Sequence, residues 1–143
     1  MIYSLGVLEE QDIVAKSVRH PPGIDASAVL SLWENENKLL PNFSRYPGPA
    51  GEIGPIQVRP GVVKELKGAG ILPPQWNSNL QANLTAGALY YDRMSSHYNI
   101  PETNAAAAYN GGPYGYRRNS AQGYQAAFNA SQPGFRDFVN CMR

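Results

Sequence analysis

The chain is predicted to be mainly α, and three observations carry that prediction. Apolar residues recur at helical spacing in several separate segments. Those segments are bracketed by residues that start and stop helices. No hairpin signal lies between β-branched runs: Asn110-Gly111 is the one turn pair of that kind, and its flanks are helical.

The elements follow in order. Leu8 to Arg19 is a short amphipathic helix, with Leu8, Ile13, Val14 and Val18 apolar among charges, and His20-Pro21-Pro22-Gly23 stops it. Asp25 caps a second helix that runs to about Asn37, because an aspartate oxygen accepts from the free N–H groups of a first turn. Leu40 to Gly54 holds three prolines and three glycines and is predicted irregular; a long unstructured loop in a small domain is usually functional. Pro60 or Gly61 opens a third helix through about Lys67, closed by Gly68 and Gly70. Ile71 to Trp76 connects it to a long helix from Ser78 to about Tyr98, with Leu80, Leu84, Ala88, Tyr91 and Met94 as one face. Glu102 to Tyr109 is a short alanine helix broken by Asn110-Gly111-Gly112-Pro113. Two last helical segments are expected near Ala121–Ala130 and Phe135–Cys141, with Pro133 between them.

Composition narrows the function classes. Glycine and proline make 26 of 143 residues, and with 12 asparagines the turn-formers reach roughly a quarter of the chain. One cysteine, Cys141, excludes a disulfide framework. A net charge of +1 argues against a binder of nucleic acid that works by phosphate neutralisation. Hydrophobic residues at 43% and aromatics at 10% argue against disorder. The length suits a single domain over residues 1–143. No stretch approaches the ~20 apolar residues of a membrane span. His20 and His97 have no cysteine or carboxylate at ligand spacing, so neither metal nor cofactor is expected.

One carboxylate stands out. The residues three, four, seven and eight before Glu36 share its helix face, and they are Trp33, Leu32, Val29 and Ala28, all apolar. The same count for Glu34 gives Ser31, Leu30, Ser27 and Ala26, a mixed set that reads as a solvated face. Glu36 therefore continues the core-facing stripe to the end of the helix, where the Pro/Gly loop begins. A carboxyl at such an edge is desolvated and its pKa is expected to rise, which suits a general acid for glycosidic cleavage.

Four blocks then carry a resemblance. Ile24 to Asn37 resembles a helix ending in a catalytic glutamate. Gly51-Glu52-Ile53-Gly54-Pro55-Ile56-Gln57-Val58-Arg59-Pro60 is similar to a Gly-x-x-Gly-Leu-Met-Gln-hydrophobic-x-Pro loop. Asn83-Leu84-Thr85-Ala86-Gly87-Ala88-Leu89-Tyr90-Tyr91 is similar to Asn-Ile-x-x-Gly-x-x-Tyr-Leu. Ala107-Ala108-Tyr109-Asn110-Gly111-Gly112-Pro113 matches Ala-Tyr-Asn-Ala-Gly-Pro. In their order and spacing, over about residues 24–116, these resemble the soluble lytic transglycosylase catalytic domain, a lysozyme-like fold of the goose-type group. Asn37 stands where that family usually has serine, and Arg59 where some members have a saccharide-contacting methionine.

The resemblance implies a helical lysozyme-like domain that acts on peptidoglycan glycan strands. Glu36 would be the catalytic acid, then base, in cleaving the bond between N-acetylmuramic acid and N-acetylglucosamine, leaving a 1,6-anhydro sugar. Tyr109 would hydrogen-bond and orient Glu36. Gln57 would bond acetamido or hydroxyl groups, Gly54 would let the backbone approach the glycan, Tyr90 would face the cleft, and Asn110 would fix the loop after it. Asn37 follows the acid directly. Tyr114, Tyr116 and Tyr124 are candidates to line a sugar subsite. Two other readings stand beside this one: a hydrolytic goose-type lysozyme using Glu52 as second carboxylate, and a peptidoglycan-binding module without turnover. Met1 to Leu8 lacks a basic stretch and is not a secretory signal, so delivery by a phage particle or secretion apparatus, or removal of a leader, is expected, with a virion-associated enzyme favoured.

Overall fold

The structure is a computed structural model that describes residues 25–43 and 48–141. The helix expected at Leu8–Arg19 and its Pro-Pro-Gly stop lie outside these residues. Five α-helices follow in order: α1 (Ala26–Asn37), α2 (Pro60–Gly68), α3 (Leu80–Ser96), α4 (Glu102–Gly111) and α5 (Asn119–Cys141). There is no strand among the described residues; an isolated antiparallel bridge pairs Ile53 with Val58. The mainly α expectation holds.

The local signals that predicted the helices act as expected. The Asp25 carboxylate accepts from the Ser27 N–H at 2.9 Å and from its hydroxyl at 2.7 Å, and α1 begins at the next residue. Pro60 opens α2 at its first position. Asn79, not singled out in the sequence, caps α3 by accepting from the Ala82 N–H at 2.9 Å, so the helix begins at Leu80 and not at the expected Ser78. Gly112, with φ 85°, ends α4 two residues beyond the expected stop.

Packing explains where the sequence expectation falls short. Every residue of α1 from Ala26 to Trp33 is buried. That helix lies against α5, α5 against α4, and α4 against α3, which also touches α1 and α2. The core comprises Leu30, Leu32 and Trp33 of α1 with Ile56, Leu66, Leu84, Met94 and Phe135. In α3 the expected stripe is only part of what is covered: Asn83, Ala86, Gly87 and Tyr90 are buried as well, while Leu80 and Tyr91 are partly so. A helix enclosed by three neighbours has no single inner face.

The C-terminal pair of helices is corrected to one continuous helix with Pro133 inside. The proline removes one backbone bond, but the segments on both sides are held by the rest of the fold. Phe128 and Phe135, seven residues apart and so on one face, are both buried. The Ser31 hydroxyl of α1 donates to the Phe128 carbonyl at 3.2 Å and also meets the Ser131 hydroxyl. Tertiary contact spans the proline and keeps both halves in register.

Candidate active site

Glu36 occupies the last turn of α1. The four apolar residues on its face, Ala28, Val29, Leu32 and Trp33, are buried to 1% exposure or less, as the periodicity requires. The chain then turns away abruptly. Lys38 and Leu39 both take left-handed backbone, and Trp33 Nε1 donates to the Leu40 carbonyl at 2.8 Å. Asn37 adds a longer bond from Nδ2 to the same carbonyl at 3.3 Å. The side chain after the acid therefore holds the loop exit.

Burial pushes the Glu36 carboxyl up to about 7. The Arg59 guanidinium opposes that shift, the Tyr124 hydroxyl opposes it by facing the carboxyl, and Glu52 adds to it by like-charge repulsion. Glu34 is half-buried, more enclosed than a solvated-face charge.

The turn from Ile53 to Val58 lies between Glu52 and Arg59, the two charges that act on Glu36. Both N–H groups of the Ile53–Val58 bridge donate at 2.9 Å. Gly54 has φ 84°, and a Cβ there would collide with the Asn83 amide. Asn83, fully buried in α3, is the clamp: Oδ1 accepts from the Ile56 N–H at 2.9 Å, and Nδ2 donates to the Ile53 carbonyl at 3.1 Å and the Trp76 carbonyl at 2.9 Å. One turn on, Gly87 has no side chain because a Cβ would overlap Ile56. Sequence reasoning noted Asn83 and Gly87 without giving them a task; their four-residue spacing on one helix face was the available signal. Gln57, at φ 55°, spends its amide N–H on the Gly54 carbonyl at 2.8 Å and keeps its amide oxygen.

The expected bond from Tyr109 to Glu36 is corrected. The Tyr109 hydroxyl donates to the Ile56 carbonyl at 2.8 Å, so this tyrosine braces the turn. Glu36 is close enough that its charge, after burial, raises the Tyr109 pKa. The phenol that addresses the acid is Tyr124 of α5. Its buried hydroxyl has no hydrogen bond of ordinary geometry among the described residues, yet it stabilises the Glu36 carboxylate and its own pKa rises through burial and that charge. Tyr124 stood among the candidate sugar-stacking tyrosines; nothing in the sequence paired it with a residue 88 positions earlier.

Tyr90 packs beside Tyr109, with ring centroids 5.7 Å apart, and is buried. Asn110 is half-buried at the end of α4 and its side chain takes no hydrogen bond among the described residues; the loop after it is shaped by Gly112. Glu52 directs one carboxylate oxygen to the Ala50 N–H at 2.9 Å. No cluster of three or more potential metal ligands occurs among the described residues, and no described helix is long and apolar enough to cross a membrane.

The fold and site thus define a helical domain that sets one desolvated carboxylic acid against a braced, glycine-containing turn. The family model described as the Transglycosylase SLT domain matches residues 14–132. The chain belongs to that family, whose members are peptidoglycan-cleaving enzymes of the lytic transglycosylase type. The match reaches beyond the four blocks on both sides. Neither a curated protein nor a solved structure matched the chain.

Proposed function

We propose that this chain cleaves the bond between N-acetylmuramic acid and N-acetylglucosamine in peptidoglycan by intramolecular transglycosylation, with Glu36 as acid and then base. The protonated carboxyl donates its proton to the glycosidic oxygen as the bond from C1 to that oxygen breaks. The C6 hydroxyl of the muramyl residue bonds to C1 and gives its proton to the Glu36 carboxylate. The acid is regenerated, and the product carries a 1,6-anhydro ring with no water consumed.

The observation that carries this reading is the half-buried place of Glu36 at the end of an apolar stripe, where desolvation lifts its pKa to about 7. A group near the working pH both donates and accepts a proton readily, as one residue serving twice must. Arg59 and Tyr124 favour the carboxylate needed for the second step. Gln57 offers its amide oxygen to the sugar, and Tyr90 and Tyr109 form the wall, while the bare Cα of Gly54 makes room for the Asn83 clamp rather than for the glycan.

The test is digestion of purified peptidoglycan by the parent chain and by Glu36→Gln. The parent is expected to yield anhydro-muramic ends, and the variant to lose about 10²–10⁴ in rate with its fold intact. Free reducing ends would transfer the reaction to hydrolysis, with Glu52 as the second carboxylate. An undiminished rate in the variant would move the acid elsewhere.

A further inference from the structure

Tyr114 is 94% exposed, far more than any other large apolar residue among those described. It stands in the turn between α4 and α5. That turn is tightly built: Gly112 has φ 85°, the Gly115 N–H donates to the Gly112 carbonyl at 3.2 Å, and a Cβ on Gly115 would collide with the Gly111 carbonyl oxygen. The ring is thus held out in water by a backbone with little freedom to withdraw it.

Its neighbour is equally fixed. The Tyr98 ring meets Tyr114 edge to face, centroids 6.3 Å apart at 80°. The Tyr98 hydroxyl donates to one oxygen of Glu65, whose other oxygen takes Arg93 Nε at 2.8 Å, and His97 packs on the ring at 4.7 Å. Tyr90 and Tyr98 lie eight residues apart along α3 and its end, about 12 Å at helical rise, and Tyr90 packs on Tyr109 beside Glu36.

We infer that Tyr98 and Tyr114 form an outlying glycan subsite, where a pyranose ring of the strand stacks its apolar face on Tyr114 with Tyr98 as a side wall. The inference rests on the peptidoglycan reading. An aromatic face carries negative potential that suits the polarised C–H groups of a sugar. Stacking of this kind makes few demands on substituents, as base stacking on aromatic platforms shows, so it suits a strand of alternating sugars. Tyr98, already pinned by Glu65 and His97, loses little freedom when sugar arrives.

The test uses the full chain carrying Glu36→Gln, which binds without turnover, in co-sedimentation with purified insoluble peptidoglycan. Adding Tyr114→Ala is expected to raise the half-binding concentration about fivefold, and Tyr114→Trp to restore it, with the unfolding temperature unchanged in both. Half-binding that Tyr114→Ala leaves in place would overturn the subsite alone. A Glu36→Gln chain that does not sediment at all would overturn the peptidoglycan reading and the subsite with it.

Discussion

The hydroxyl of Tyr109 reaches across to the carbonyl of Ile56 at 2.8 Å, joining the end of α4 to the turn that faces the acid. Both groups are buried, so neither has water to replace the other. Tyr109→Phe leaves the Ile56 carbonyl without that donor and is expected to destabilise the fold by about 1–3 kcal/mol, measured by denaturant unfolding. The pH at which activity falls should barely move, because the bond does not go to Glu36. A marked shift of that limb would restore a direct role for Tyr109 on the acid.

Arg59 acts on the acid through charge. Its guanidinium stabilises the Glu36 carboxylate, so removing it raises the Glu36 pKa above about 7. The proton-donating form then survives to higher pH. Arg59→Met is expected to displace the alkaline limb of kcat/KM upward by roughly one pH unit, and Arg59→Lys to restore it. Glu52→Gln removes a like charge and should displace the same limb downward. Rate profiles from pH 5 to 9 decide both.

Burial of Glu36 also makes stability depend on pH. Its folded pKa, about 7, lies above the ordinary 4.5, so the native state binds the proton more tightly than the unfolded chain. The associated stability is full below about pH 4.5 and is lost as pH rises through 7, a swing of about 3 kcal/mol. Glu36→Gln lacks this titration and should gain on the parent between pH 5 and pH 8. Parallel unfolding curves for the two chains across that range would contradict the burial of the carboxyl.

Pro133 is tolerated within α5 at a cost. Restoring the backbone donor with Pro133→Ala is expected to stabilise by about 1–2 kcal/mol, less than the full penalty of an interior proline because the unfolded chain also gains freedom. A rise in unfolding temperature checks it. A fall would show that the proline itself is needed for packing Phe128 and Phe135.

What could be read in advance was local. Asp25 and Pro60 act on their own helix ends within three residues, and the stripe below Glu36 is a matter of counting along one helix. The desolvation of the Glu36 carboxylate was therefore legible from residues 28–36. Its surroundings were not. Tyr109 meets Ile56 across 53 positions and Tyr124 meets Glu36 across 88; periodicity says that such rings turn inward, not what they meet. Pro133 misled for the same reason, since a local rule predicted a break where α1, a hundred residues away in the chain, supplies the splint.

Four consecutive residues of α4, Ala105 to Ala108, have no exposure at all. Four residues cover more than a full turn, so that stretch has no outer side. A surface helix can grow a larger side chain toward water; this one has no direction left in which to grow. Each methyl group there is a spacer between two other helices, and the Tyr109 that braces the turn is the very next residue. The seating of Tyr109, and through its bond that of the Ile56 carbonyl, is thus gauged by methyl groups alone, and a single added methylene in α4 would be felt in the Ile53–Val58 turn.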